Sequence, residues 1–126
     1  MRFMCMIKFD EAMPWGPAPE SLYQAMGEFG QEGFRDGTLV EQGGLGASAQ
    51  GAIVSLANGA ITAVDGPFAE AKELIGGYAV IDVRSRAEAV ELARRLLQIH
   101  QDNWPGWEGS CEIRPIFTGA GDLPPA

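Results

Sequence analysis

The sequence predicts an α+β domain of ferredoxin-like topology, an antiparallel sheet with two helices on one face. Three observations predict it. Strand-like runs flank a helical segment in each half of the chain, giving β-α-β twice. An Asn58-Gly59 hairpin signal separates the halves. The strand-like runs are apolar on more than one face, unlike a sheet with one face in water. In this topology the first and last strands are neighbours.

Met1 to Phe9 reads as the first strand, with Phe3, Cys5, Ile7 and Phe9 on one face and Met4 and Met6 in the middle of the other. Asp10 to Ala18 is a loop punctuated by Pro and Gly around Trp15. A helix begins near Pro19, with Glu20 complementing its N-terminal dipole, and follows the stripe Leu22, Met26, Phe29, Gly33 to a stop at Asp36-Gly37. Gly27, Gly30 and Gly33 argue against its regularity, each costing about 1 kcal/mol relative to Ala. Thr38 to Leu45 starts as a strand and loosens into glycines. Ala52–Ala57 and Ala60–Val64 form the hairpin, because a type I′ turn needs φ > 0 at both central residues. Residues 69–73 look helical, and Leu74 to Val83 is the strongest strand. Ser85 and Glu88 form a capping box for a helix from Arg86 to about His100, with Ala89, Leu92, Ala93, Leu96 and Ile99 as its stripe. A Trp-rich turn, 103–109, leads to a last strand, Cys111 to Phe117.

The 126 residues suit one domain, at 1–117, followed by a Gly/Pro-rich flexible tail at 118–126. The net charge of -8 and the scattered cations disfavour nucleic-acid binding, which needs a basic stripe for phosphates. Cys5 and Cys111 lack metal spacing and fall on strands expected to be adjacent, where two buried free thiols are expected rather than a bridge. No apolar run is long enough for a membrane span. A cytoplasmic protein is expected. Two helices cover only one sheet face, yet Met4, Met6, Ile75, Ala79, Ile81 and Ile116 need cover on whichever face stays bare. The same surface of a second chain is the simplest source, which predicts a homodimer.

The run Asp65-Gly66-Pro67-Phe68-Ala69-Glu70-Ala71-Lys72-Glu73, followed by Gly76-Gly77-Tyr78, closely resembles the DGPF signature of the YCII-related family. His100, Trp104-Pro105-Gly106, Gly109 and Glu112-Ile113-Arg114-Pro115 fit the same group, as does the Gly37 to Leu45 segment. The resemblance implies a dimeric α+β barrel. It also implies two functional alternatives. One is a small-molecule-binding protein, a cofactor-independent lyase or isomerase using an Asp/His pair, as in relatives that act on small ring compounds. The other is a non-catalytic regulatory or interaction module, since some members are associated with sigma-factor genes.

Asp65 and His100 are the candidate catalytic pair. His100 is the one imidazole, so His-based chemistry at neutral pH must use it; its place at a helix C-terminus also suits a structural cation. Asp65 is a candidate base, or else the carboxylate of an Asx turn that takes the following backbone N–H groups. Tyr78, Arg114, Trp15 and Phe68 are the candidate substrate contacts. Tyr78 follows two glycines that open space beside the sheet, for a pocket or equally for close packing of a helix or partner chain, while Arg114 suits a carboxylate substrate or an ion pair with Glu112 or Asp82. The Gly44 to Ala49 segment imitates a dinucleotide fingerprint but is followed by a strand rather than a helix, so it is rejected. No cofactor motif or metal cluster is visible.

Overall fold

The computed structural model describes residues 1–68 and 73–118. The elements are β1 (Arg2–Phe9), α1 (Glu20–Asp36), β2 (Leu39–Gly44), a short 3₁₀ turn (Ser48–Gln50), β3 (Ala52–Ala57), β4 (Ala60–Asp65), β5 (Leu74–Asp82), α2 (Arg86–Asn103) and β6 (Ser110–Pro115). Four strands form one antiparallel sheet in the order β2-β5-β1-β6. Setting the hairpin aside, that order is the ferredoxin-like one, with first and last strands adjacent. β3 and β4 form a separate two-stranded sheet. The expected helical stub at 69–73 falls mostly outside the described residues, as does most of the C-terminal tail.

One face of the four-stranded sheet carries the core. Phe3, Cys5, Ile81 and Val83 are buried there with Ala89 of α2, and Leu39, Ala79, Leu92, Cys111 and Ile113 pack around them. Cross-strand register explains the grouping, since Phe3 opposes Ile81 and Pro115 while Cys5 opposes Ala79 and Ile113. The opposite face carries Met4 and Val80 in register, Met6 opposite Tyr78, and Lys8 opposite Ile75. No helix covers it. The sequence reading is corrected here, because Ala79 and Ile81 belong to the helix-covered face. A register shift between Ile7 and Lys8 skips Gly76, so strict alternation fails and Ile75 changes sides relative to Ala79.

α2 starts as predicted, with Ser85 Oγ accepting from the Glu88 N–H at 3.2 Å, while the Glu88 carboxylate accepts from the Arg84 N–H at 3.2 Å. It runs one turn beyond the expected end, to Asn103. α1 stays regular through its glycines and stops at Gly37, whose φ of 84° is the left-handed cap. Asp36 then receives the Thr38 hydroxyl at 2.7 Å and the Thr38 N–H at 2.9 Å, and these bonds hold its carboxyl below the ordinary range. Two of the glycines have a packing reason. A Cβ on Gly33 would lie 2.9 Å from the Leu39 Cβ, and one on Gly30 would lie 2.9 Å from Gln42 Nε2, so they bring α1 close to β2. Gly27 has open space around it. Arg95 of α2 joins the helices, pairing with Glu32 at 3.6 Å and lying 4.8 Å over the Phe29 ring.

These environments make the glycines separable. Gly27→Ala is expected to stabilise the protein by about 0.5–1 kcal/mol through helix propensity. Gly33→Ala is expected to gain nothing or to destabilise by roughly 1 kcal/mol, because overpacking against Leu39 offsets that gain. Urea denaturation of the two variants measures the difference.

Candidate functional site

His100 lies in the last turns of α2 and is 5% exposed. Its Nδ1 is 2.8 Å from the Leu96 carbonyl oxygen. A carbonyl only accepts, so Nδ1 carries a proton, and in the neutral tautomer this leaves Nε2 as the lone-pair nitrogen. Among the described residues Nε2 has no hydrogen-bond partner, and no buried side-chain nitrogen or oxygen among them goes unpartnered. Nε2 therefore reaches the surface. Around the ring stand Trp107, with centroids 4.7 Å apart, and behind it Trp104 and Phe9 at 5.8 and 6.3 Å from Trp107. The tryptophans of the Trp-rich turn thus build, with Phe9, an aromatic frame for the imidazole. That frame sits where β1 and α2 end and β6 begins.

Asp65 closes β4 opposite Ala52 and is exposed. It makes no hydrogen bond to His100, so the chain alone does not assemble an Asp–His dyad. Nor does it form the Asx turn. The Gly66 N–H donates to the Gly51 carbonyl at 2.9 Å, and the Phe68 N–H to Ser48 Oγ at 3.2 Å. The Gly66-Pro67 peptide is cis.

The group that holds this turn was missed in the sequence. Glu11, in the loop after β1, takes the Ser48 N–H at 3.1 Å on one carboxylate oxygen and the Ser48 hydroxyl on the other. Ser48 is buried, its hydroxyl donating to Glu11 and accepting from Phe68. A Cβ on Gly66 would lie 1.7 Å from the Ser48 carbonyl oxygen, so only glycine permits this approach. The one available signal is that Ser48 is the only hydroxyl side chain between Thr38 and Ser55. Trp15 stays in the same loop as Glu11, its Nε1–H donating to the Asp10 carbonyl at 2.8 Å.

Tyr78 and Arg114 are elsewhere. Both project from the bare sheet face, away from the helices. The Tyr78 hydroxyl donates to Glu41 at 3.1 Å, and that carboxylate pushes its pKa up, so it stays protonated at neutral pH. Arg114 lies 3.9 Å from Glu112, the first of its two expected partners. An open groove of about 440 Å³ lies at the opposite end of the sheet, lined by Met1, Arg2, Asp82 and 115–118, and contains none of the predicted site residues. No group of His, Cys, Asp and Glu among the described residues has the placement to hold a metal ion. No described helix is long and apolar enough to cross a membrane.

Cys5 and Cys111 are both free and sit diagonally on neighbouring strands of the core face. The hydrogen bond between the thiols, with burial, pushes Cys5 far above the ordinary thiol range. The same bond lowers Cys111, against the opposing effect of its burial.

Residues 1–117 match the family described as the YCII-related domain. The chain belongs to the YCII-related family. Its DGPF run therefore lies within a domain of that family, on the turn that Glu11 and Ser48 hold. The chain is also 40% identical over 62 residues to an uncharacterized protein of Rhizobium meliloti (strain 1021), a match covering 48% of this chain and 46% of that protein. It thus spans about half the length of that relative.

Gly66→Ala is expected to lower stability by about 2 kcal/mol or more through the clash with the Ser48 backbone, and Ser48→Ala by about 1–3 kcal/mol through the stranded Glu11 carboxylate and Phe68 amide. Thermal melts check both. For the thiols, Cys111 should alkylate with a pH midpoint below that of an ordinary cysteine, since its thiolate forms earlier, while Cys5 stays unmodified until unfolding. Peptide-resolved mass spectrometry after an iodoacetamide pH series reads this directly.

Proposed function

We propose that this YCII-related protein, of the DGPF subgroup, is a cytoplasmic homodimer. In this reading it binds a small molecule at the end of the sheet shared by His100 and the Asp65 turn, and acts as a cofactor-independent lyase or isomerase. The observation that carries the reading is the fixed imidazole. With Nδ1–H committed to Leu96 and Nε2 reaching the surface, His100 is oriented as a proton acceptor before any ligand arrives. Asp65, an exposed carboxylate at the base of the hairpin, is the second acid/base group, with Trp15 and Phe68 as apolar contacts from neighbouring loops. Tyr78 and Arg114 lie on the bare face, where a second copy would meet them; they would act there as ligand contacts only if the dimer closes around the ligand. The two free thiols favour a reducing compartment.

The rival reading is a non-catalytic regulatory or interaction module. It is favoured by the lack of a hydrogen bond between Asp65 and His100 within one chain.

A thermal-shift screen of small cyclic acids and lactones separates the two, followed by proton exchange of any hit in deuterated water. The enzyme reading expects a selective hit that acquires deuterium at least about 100-fold faster with the wild type than with His100→Gln. Asp65→Asn, at an exposed position, should weaken exchange with melting unchanged. A hit bound equally by all three proteins without exchange supports the module.

A further inference from the structure

Every residue of β3 and β4 is exposed. Val54, Leu56 and Ile61 are 68%, 73% and 73% exposed, large values for aliphatic side chains on ordered strands. The register pairs Val54 with Ala63 and Leu56 with Ile61, so these four form one apolar face. Ile53 and Val64 pair on the other face, followed by Ser55 with Thr62. The sequence carries no charge between Glu41 and Asp65, and no proline or register shift interrupts the hairpin. Strand edges left in water are normally guarded by such devices, and an isolated two-stranded hairpin is marginal on its own. This hairpin instead has a type I′ turn at Asn58 and Gly59, with φ of 51° and 75°, and an unguarded apolar face.

We propose that the β3–β4 hairpin is an assembly arm whose occupant is a second copy of this chain, the Val54, Leu56, Ile61 and Ala63 faces of two arms stacking across a two-fold axis. Charge is the first argument for a like partner. The chain carries a net charge of -8, and two such copies meet with least repulsion where neither presents a charge. The arm up to Val64 lies in the longest uncharged run of the sequence, 42–64, and that run offers a charged foreign partner nothing to pair with. Self-complementarity is the second. A wholly aliphatic face, with Val54 and Leu56 on one strand and Ala63 and Ile61 on the other, can meet its own copy across a two-fold axis with no polar group left to pair. Area is the third. A stable interface uses roughly 20–30 residues a side. Residues 51–64 supply about half of that, and the bare sheet face around Met4, Met6 and Val80 is available for the rest. The inference rests on the homodimer of the reading above, for which it names the contacting element, and does not depend on the small-molecule part of that reading. It does bear on the site, because β4 runs directly into Asp65 and Gly66. A docked arm therefore fixes the DGPF turn relative to the second copy.

The test uses the full chain. Light scattering after size exclusion, and melting temperature against protein concentration, are compared for the wild type, Leu56→Ser/Ile61→Ser, Val54→Thr and Met6→Lys. The wild type is expected to be a dimer or larger, with melting that rises with concentration. The double arm variant should self-associate at least about 100-fold more weakly, since a two-fold contact loses each side chain twice. Its circular dichroism should stay native, because these side chains are solvent-exposed in their own chain. Val54→Thr should weaken association to a smaller degree. A monomeric wild type overturns the proposal. So does a double arm variant that associates as tightly as the wild type, including the case in which Met6→Lys alone splits the dimer. Because no ligand is involved, the outcome is independent of whether His100 binds or reacts with anything.

Discussion

β1 is hydrogen-bonded along both edges, to β5 and to β6, and this double pairing sets the terms for the rest of the molecule. A strand held on both sides can place its side chains only above and below the sheet. Phe3 and Cys5 go to the helix side, where Ile81 and Ala89 close over them; burying a Phe there is worth about 1.5–3 kcal/mol. Met4 and Met6 must then go to the other side, where two helices cannot also reach. The unguarded face follows from topology, with the sequence supplying methionine where a solvated face would carry charge. The charges that do stand at its margin neutralise one another. Lys8 pairs with Glu112 at 3.2 Å, Arg114 approaches the same carboxylate, and Arg2 and the N-terminal amine meet Asp82.

The far end of β1 organises the polar chemistry. Beyond Phe9 the chain turns through Asp10, and Glu11 reaches the buried Ser48, which in turn receives the Phe68 N–H. Hydrogen bonds to a carboxylate contribute about 1.5–3 kcal/mol each, roughly twice a neutral bond. Two such bonds let one side chain anchor a loop, a 3₁₀ turn and the DGPF turn together. Phe9 itself fills the space beside Gly76, where a Cβ would lie 2.1 Å from its ring, and stands next to Trp107. Strand, glycine and tryptophan thus carry the order of the sheet out to His100.

Local rules made most of the fold legible. The capping box at Ser85, the φ > 0 pair at Asn58-Gly59 and the two β-α-β halves each rest on short-range chemistry, and each appears where its residues stand. Parity failed where the Gly76 irregularity intervened. A period-2 reading cannot know that one residue is skipped, so it set Ile75, Ala79 and Ile81 together although they part across the sheet. The helix α1 glycines misled for a related reason. Their cost is visible in the sequence, whereas the close approach of β2 that makes Gly33 useful is a tertiary fact. The site was less legible still. Glu11 and Ser48 sit 37 residues apart in two loops of ordinary composition, so nothing local links them. The conspicuous Asp65 proved to hold none of its own turn. His100 could be singled out as the only imidazole, but its tautomer depends on the carbonyl of Leu96, which no residue identity reveals.

Net charge and local charge work differently in this molecule. The excess of carboxylates is spread over α1 and the loops, where water and salt screen it within about 10 Å, while the acidic and basic side chains of α2 balance. The apolar centre of the bare sheet face, the hairpin and the Ser48 turn are nearly free of unpaired charge. The Glu11 carboxylate is the exception at the turn, and both of its oxygens are occupied by Ser48. Acidity therefore favours solubility without opposing close contact at the surfaces left uncovered. The carboxylate of Asp65 stands at the boundary between these regimes, charged and exposed, on the strand that joins the apolar arm to the clamped turn. A group in that position keeps its solvation until something covers the arm or fills the space beside it, and either event would raise the cost of its charge. That sensitivity gives Asp65 a physical reason to matter that its own turn, held entirely by other groups, does not provide.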